Sequence, residues 1–180
     1  MDTGESSYRL YLDGDESAFE AIVKEYRDPL TFFINGFVRD IHAAEDIAID
    51  VFAYVAAEPR RYNFKVSLKT YLYMLGRSRA LDYIRRRSRR RHVPLEEAYH
   101  AEVSSVEEQY IKDESKKALY RALEQLPERM STAIRLVYFE GLSYIDAAKV
   151  MKISKKQIDN LLYRAKGMLR SILEEEGELL

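Results

Sequence analysis

Apolar residues recur at three- and four-residue intervals along nearly every long segment of this chain, and that spacing decides most of what it can fold into. Phe19, Ile22, Val23 and Tyr26 form one such run; Leu68, Tyr71, Leu72, Leu75, Leu81 and Ile84 form another; Ile158, Leu161, Leu162, Ala165, Met168 and Leu169 form a third. The strict alternation that marks a half-buried strand is missing, and only seven Gly and four Pro punctuate 180 residues. The pattern predicts an all-α protein.

Asp15 is placed to cap the first helix, and Asp28-Pro29 predicts a kink or restart before Leu30, Phe33, Ile34 and Phe37. A second helix aligns Ala44, Ile47, Ala48, Val51 and Val55, and Pro59 ends it. A third is expected from about Ser67 to about Arg90. Residues 93–112 then lose the periodicity and turn acidic, as an exposed connector would. Beyond it, Ala118, Leu119, Ala122, Leu123 and Leu126 open a second apolar set that restarts after Pro127 through Ile134, Leu136 and Val137. The expected architecture is two small helical domains, 1–92 and 113–180, joined by an acidic linker.

A net charge of −1 conceals strong segregation: −8 over residues 1–60, +10 over 61–92, −6 over 93–114 and +3 over 115–180. A compact +10 block attracts polyanions, so nucleic acid is the first partner to consider. Cysteine is absent, which excludes disulfides, thiolate zinc sites and cysteine nucleophiles. No catalytic, metal or cofactor site is expected, because there is no Gly-rich phosphate loop and His42, His92 and His100 lack helical pairing. His42 and Glu45 offer two ligands at most, a pattern more typical of a solvated helix start. No apolar run approaches the roughly 18 residues of a membrane span, and the start MDTGESS lacks a signal peptide's basic and apolar segments. A cytoplasmic location without membrane insertion is the default expectation.

Two short helices near the C-terminus carry the most specific local signal. Gly141 stops one helix, and Ser143 through Asp146 reads as a capping box; eleven residues on, Ser154 through Gln157 reads as another. Two capped helices with a tight turn, small Ala147 and Ala148 at the crossing, and Lys155, Lys156, Asn160, Tyr163, Arg164 and Lys166 facing outward match a helix-turn-helix. Its second helix would enter a major groove.

A second signal lies at residues 60–73, where Arg60, Arg61, Lys65 and Lys69 interleave with Tyr62, Phe64, Tyr71 and Tyr73. Cations contact phosphates while flat rings stack on unpaired bases, a combination suited to single-stranded or melting DNA. Arg77, Arg79, Arg85, Arg86, Arg87, Arg89, Arg90 and Arg91 follow against a single Asp82, more cations than a helix C-terminus accounts for.

These residues, taken in order, resemble the extracytoplasmic-function (ECF) sigma factors of the sigma-70 family of bacterial RNA polymerase. The resemblance is carried by Gly14-Asp15-Glu16-Ser17-Ala18-Phe19, Ala44-Glu45-Asp46 with Val51-Phe52, and Leu81 through Arg87 in a region 2 domain. Leu126 through Arg129, Tyr138 through Tyr144 and Tyr163 through Lys166 carry it in a region 4 domain. It implies a non-enzymatic subunit that directs core polymerase to promoters and starts melting. By resemblance, Asp46 and Asp50 dock on the clamp helices of the beta-prime subunit, with the beta subunit as a further partner. Arg60, Arg61, Tyr62, Asn63, Phe64 and Lys65 form the loop that captures a flipped minus-10 base, and Tyr71, Ser78, Asp82, Arg85 and Arg86 join that DNA site. Lys155, Lys156, Asp159, Asn160, Tyr163 and Arg164 face the minus-35 element, and an anti-sigma factor holds the free form inactive. Ile49, Tyr71, Ser78, Asp159 and Leu161 depart from the family's usual residues, which are Gln, Trp, Asn and, at the last two, basic.

Two other functions use part of the same pattern. A stand-alone helix-turn-helix regulator would bind closed duplex without polymerase and leave the aromatic segment at 60–73 unused. A protein-only adaptor would use the charge blocks on charged partners and would have negligible affinity for DNA.

Overall fold

In the computed structural model, which describes residues 4–91 and 114–175, every regular element is helical. The described residues fall into two compact units, one within residues 1–103 and the other within 104–180. The connector expected at 93–112, with His92 and His100, lies outside the described residues.

The first unit contains α1 (Glu5–Leu12), α2 (Glu16–Val38), α3 (Ile41–Ala57) and α4 (Leu68–Arg91), with a single 3-10 turn at Pro59–Arg61. As expected, the Asp15 carboxylate caps α2 by accepting the Ser17 amide at 3.0 Å. Asp40 does the same for α3, accepting the Ala43 amide at 3.1 Å, directly after Arg39 ends α2 in a left-handed conformation. Such caps contribute about 1 kcal/mol each.

The restart expected at Pro29 does not occur, since α2 runs unbroken through it. Tyr26 on one side and Leu30, Phe33, Ile34 and Phe37 on the other are all buried. At roughly 2 kcal/mol per side chain, that burial outweighs the ~3 kcal/mol cost of an internal proline.

Helix α2 packs against both α3 and α4. A Cβ on Gly76 of α4 would lie 2.9 Å from Leu30 Cδ1 and 3.3 Å from Ile34 Cδ1, so glycine is what allows the two helices to approach this closely. That contact compensates the roughly 1 kcal/mol that glycine costs inside a helix. The inward stripe of α4 differs from the expected one. Leu68, Leu72 and Ile84 are buried as expected, but Tyr71, Leu75 and Leu81 are only half-buried, while Tyr73 and Ala80 lie in the core.

Helix α1 has no counterpart in the sequence reading, because its start is polar and Leu10 and Leu12 remain exposed. Eight residues form a marginal helix in water, and tertiary docking supplies the missing stability. Tyr8 is fully buried and its hydroxyl donates to the Pro59 carbonyl at 2.9 Å, while Tyr11 donates to the Ala56 carbonyl at 3.2 Å. The Tyr8 ring meets Tyr62 edge-on at a centroid distance of 5.0 Å.

The second unit contains α5 (Glu114–Gln125), α6 (Glu128–Ile134), α7 (Tyr144–Met151) and α8 (Lys155–Glu175). Helix α6 widens into a π turn at Arg135–Phe139 and stops at Gly141, whose φ of +67° suits glycine. Leu123, Met130, Ala133, Leu136, Ala147, Met151, Ile158 and Leu162 form the core. The stripe on α8 narrows to Ile158, Leu162, Ala165 and Leu169; Leu161 is half-buried, and Met168, expected inside, is 37% exposed.

Burial raises the phenol pKa values of Tyr8, Tyr62 and Tyr71 above their ordinary value of 10. The protonated forms are favoured in the fold, so this contribution is complete below pH 10 and is lost as pH rises above it, where the unfolded chain ionises first. Tyr8→Phe should lower the unfolding free energy of this unit by about 1 kcal/mol and flatten its alkaline decline. Tyr8→Ala should cost about 3 kcal/mol or more, both checked by denaturant unfolding between neutral pH and pH 11.

Candidate nucleic-acid interface

Three surfaces hold the residues singled out in the sequence. The first is the loop between α3 and α4. Arg60, Arg61, Asn63 and Lys65 are exposed on it, and Asn63 braces the turn by accepting the Lys65 amide at 3.1 Å. Arg61 lies 3.7 Å from Glu58, a solvent-facing pair that a phosphate can replace at little cost.

The four rings of residues 60–73 divide between this loop and the start of α4 and differ in exposure. Tyr62 is only 3% exposed and its hydroxyl donates to the Val66 carbonyl at 2.8 Å; Tyr73 is wholly buried. Tyr71 is half-buried and stacks on Tyr62 at 5.2 Å. Phe64 is the half-exposed ring, seated 4.6 Å from Tyr62 with its backbone in the left-handed region at φ +59°. Tyr62 is thus the apolar anchor that a loop this short needs, Tyr73 belongs to the buried face of α4, and the loop's cations are exposed around the anchor.

The second surface is the outer face of α4. Ser78, Asp82, Arg85 and Arg86 are exposed and follow helical spacing along one stripe, with Arg85 donating to Asp82 at 3.0 Å. The long arginine series is less uniform than its sequence suggests. Arg77 and Arg79 are half-buried, and the Arg79 guanidinium lies 5.0 Å from the Tyr54 ring, so both help cover the unit itself. The side chains of Arg90 and Arg91 lie outside the described residues.

On α3, the solvent face carries Glu45, Asp46 and Asp50 around Ile49, which is 58% exposed. An isolated large apolar side chain in an acidic setting suits a partner with cations around a shallow apolar spot. His42 and Glu45 lie 3.7 Å apart in solvent. Among the described residues, no three metal-ligating side chains converge.

The third surface belongs to the second unit, where both expected capping boxes are present. Ser143 accepts the Asp146 amide at 3.1 Å and donates to the Asp146 carboxylate at 2.7 Å. Ser154 accepts the Gln157 amide at 3.2 Å while Gln157 accepts the Ser154 amide at 2.8 Å, fixing where α8 begins. Between them, Lys152 takes the left-handed conformation, φ +53°, that ends α7. Ala147 is fully buried and Ala148 nearly so. The start of α8 then presents Lys155, Lys156, Asp159, Asn160, Tyr163 and Arg164, all exposed, with Tyr163 at 82%. Arg129 of α6 joins Gln157, Asn160, Leu161 and Arg164 around a shallow surface hollow. Lys166 is exposed as expected and its ammonium sits 4.8 Å from the Tyr138 ring. Their hydrogen bond pulls the Tyr138 hydroxyl below its ordinary pKa and raises that of Lys166, tying α8 to the π turn.

A tight, doubly capped helix-turn-helix with a polar first turn has the form of a duplex-DNA-binding unit, and the loop between α3 and α4 sets exposed cations around an aromatic floor. Comparison with known proteins agrees. Residues 22–90 match the family model for sigma-70 region 2, and residues 116–169 match the model for sigma-70 region 4. The chain is 29% identical over 171 residues to the RNA polymerase sigma-H factor of Pseudomonas aeruginosa, covering 89% of each chain. It is 27% identical over 174 residues to the ECF RNA polymerase sigma factor SigW of Bacillus subtilis, covering 90% of this chain and 92% of SigW. Its fold matches the sigma factor RpoE of Bartonella quintana, solved with the anti-sigma factor NepR, at a TM-score of 0.70 and 23% identity, over 87% of this chain and 96% of that one. It also matches CnrH, solved with the cytosolic domain of CnrY, at a TM-score of 0.68 and 19% identity, over 97% and 99% of the two chains. The chain belongs to the sigma-70 family and, within it, to the extracytoplasmic-function RNA polymerase sigma factors. No described helix is long and apolar enough to cross a membrane.

Lys152→Gly should stabilise the second unit by about 0.5–1 kcal/mol, because glycine takes the left-handed conformation without a Cβ clash. Lys152→Ala should give no such gain, and thermal unfolding of the two variants decides it.

Proposed function

We propose that this sigma factor divides its work between its two units. Residues 1–92 dock on core polymerase and hold melted minus-10 DNA, 93–112 form the linker, and 113–180 read the minus-35 element as duplex. The observation that carries this reading is the coexistence, in one chain, of a capped recognition helix and a loop whose exposed cations surround an aromatic anchor. Duplex reading alone needs only the first; capture of an unpaired base needs the second.

Roles follow from chemistry. Asp46 and Asp50 flank exposed Ile49 on α3 and meet the clamp helices of the beta-prime subunit, with Ile49 supplying apolar contact. Arg60, Arg61 and Lys65 hold phosphates around the captured base, with Asn63 and Phe64 nearest to it. Buried Tyr62 and half-buried Tyr71 act as the floor beneath them. Ser78, Asp82, Arg85 and Arg86 continue the minus-10 contact along α4. In α8, Asn160 suits an adenine edge, Arg164 a guanine edge or a phosphate, and Lys155 and Lys156 the backbone. Asp159 suits the amino group of cytosine. The RpoE and CnrH structures were solved with an anti-sigma factor and with a cytosolic domain of CnrY, which supports an inhibitory partner here as well.

Transcription by core polymerase on fragmented source-genome DNA, with and without this protein, tests the reading through mapped RNA 5′ ends. New starts preceded by two shared elements at fixed spacing are expected. An active core that yields no new starts, together with footprints on closed duplex, would instead establish a stand-alone regulator. Arg85→Ala should weaken promoter binding and flatten its salt dependence by about one unit, since the exposed Asp82 pair gives way to phosphate at small cost. An unaltered slope removes Arg85 from the phosphate contacts.

A further inference from the structure

Helix α1 reaches the minus-10 loop from outside it, and its Arg9 guanidinium carbon lies 4.2 Å from the centre of the Phe64 ring. We infer that Arg9 is a DNA-contacting residue of the single-strand site: its guanidinium plane and the Phe64 ring are the two walls of a slot into which one unstacked base inserts. The inference rests on reading residues 60–65 as the base-capture loop.

The Phe64 wall is rigid. Tyr62 packs against it at 4.6 Å and Tyr8 at 6.1 Å, and both of those rings are buried. Tyr62 is further held by its bond to the Val66 carbonyl, and the Asn63 side chain fixes the turn through the Lys65 amide. Phe64 itself has φ +59°, a conformation that bulky side chains seldom adopt and that recurs where a site holds a residue against its local preference.

The opposite wall is not pinned by an ion pair. Arg9 is exposed, and among the described residues no carboxylate lies within ion-pairing distance of it. Its long side chain can lift by about 3.4 Å, the spacing of stacked bases, without disturbing α1. The helix stays in place because Tyr8 is buried and bonded to Pro59. A guanidinium plane stacks on a base much as an aromatic ring does, so the inserted base gains contact on both faces. Arg60, Arg61 and Lys65 are exposed nearby for the flanking phosphates.

The test uses the full chain bound to core polymerase and a fluorescent single strand carrying the minus-10 sequence mapped by the transcription experiment. Matching strands with one abasic position each are compared with it. In the wild type, the abasic change at the captured position should weaken binding about tenfold. Arg9→Ala should shrink that penalty to about threefold, while the loss of charge affects intact and abasic strands alike and so cancels from the ratio. Arg9→Lys, which keeps the charge but not the plane, should shrink the penalty equally while leaving the salt slope at its wild-type value. Arg27→Ala, on α2, should change neither. An unchanged penalty in Arg9→Ala overturns the inference, and so does a larger one, which would mean that the base displaces Arg9. A wild type with no abasic penalty at any position would instead remove the base-capture reading of the loop itself.

Discussion

The exposed cations of the loop between α3 and α4 stand where they do because Tyr62 is buried. A loop joining α3 to α4 has no regular backbone pairing of its own beyond one turn, so its shape must come from side chains. Tyr62 supplies it, packed between Tyr8, Phe64 and Tyr71 and bonded to the Val66 carbonyl. The loop thereby becomes a rim of cations over an aromatic floor instead of a flexible basic tether. Helix α1 depends on the same anchor, since its docking runs through Tyr8 against Tyr62 and the Pro59 carbonyl.

Charge is segregated by element around this frame. The exposed side of α3 is acidic around Ile49, whereas α4 carries cations along its outer face. Burial explains why the net charge is such a poor guide. Arg79 lies over Tyr54 and Arg77 is half-buried, so part of the arginine series covers apolar surface, while Arg85, Arg86 and Arg89 are exposed. In the second unit, precision comes from termini. Each helix of the helix-turn-helix starts at a serine whose hydroxyl accepts an amide of the first turn, and Lys152 holds the turn between them despite its left-handed backbone.

Much of the fold was legible because helical spacing and capping are local. The caps at Asp15, Ser143 and Ser154, the stops at Pro59 and Gly141, and the start of α4 all depend on a few neighbouring residues. Pro29 shows the limit of that logic, because the local cost of proline was overruled by burial on either side of it. Helix α1 shows another, since Leu10 and Leu12 stay exposed and only Tyr8 and Tyr11, at a three-residue interval, mark the face of this eight-residue stretch that docks.

By itself, then, the sequence determined the helical class, the segregation of charge and both capping boxes. Those follow from side-chain chemistry and spacing along one chain. Only the tertiary structure decided which rings of the 60–73 segment are floor and which are surface, which arginines are spent on packing, and that Arg9 stands over Phe64. Such assignments depend on the direction each side chain takes when distant segments meet. Tyr8 and Pro59, 51 positions apart in the sequence, come within a single hydrogen bond only in the folded unit.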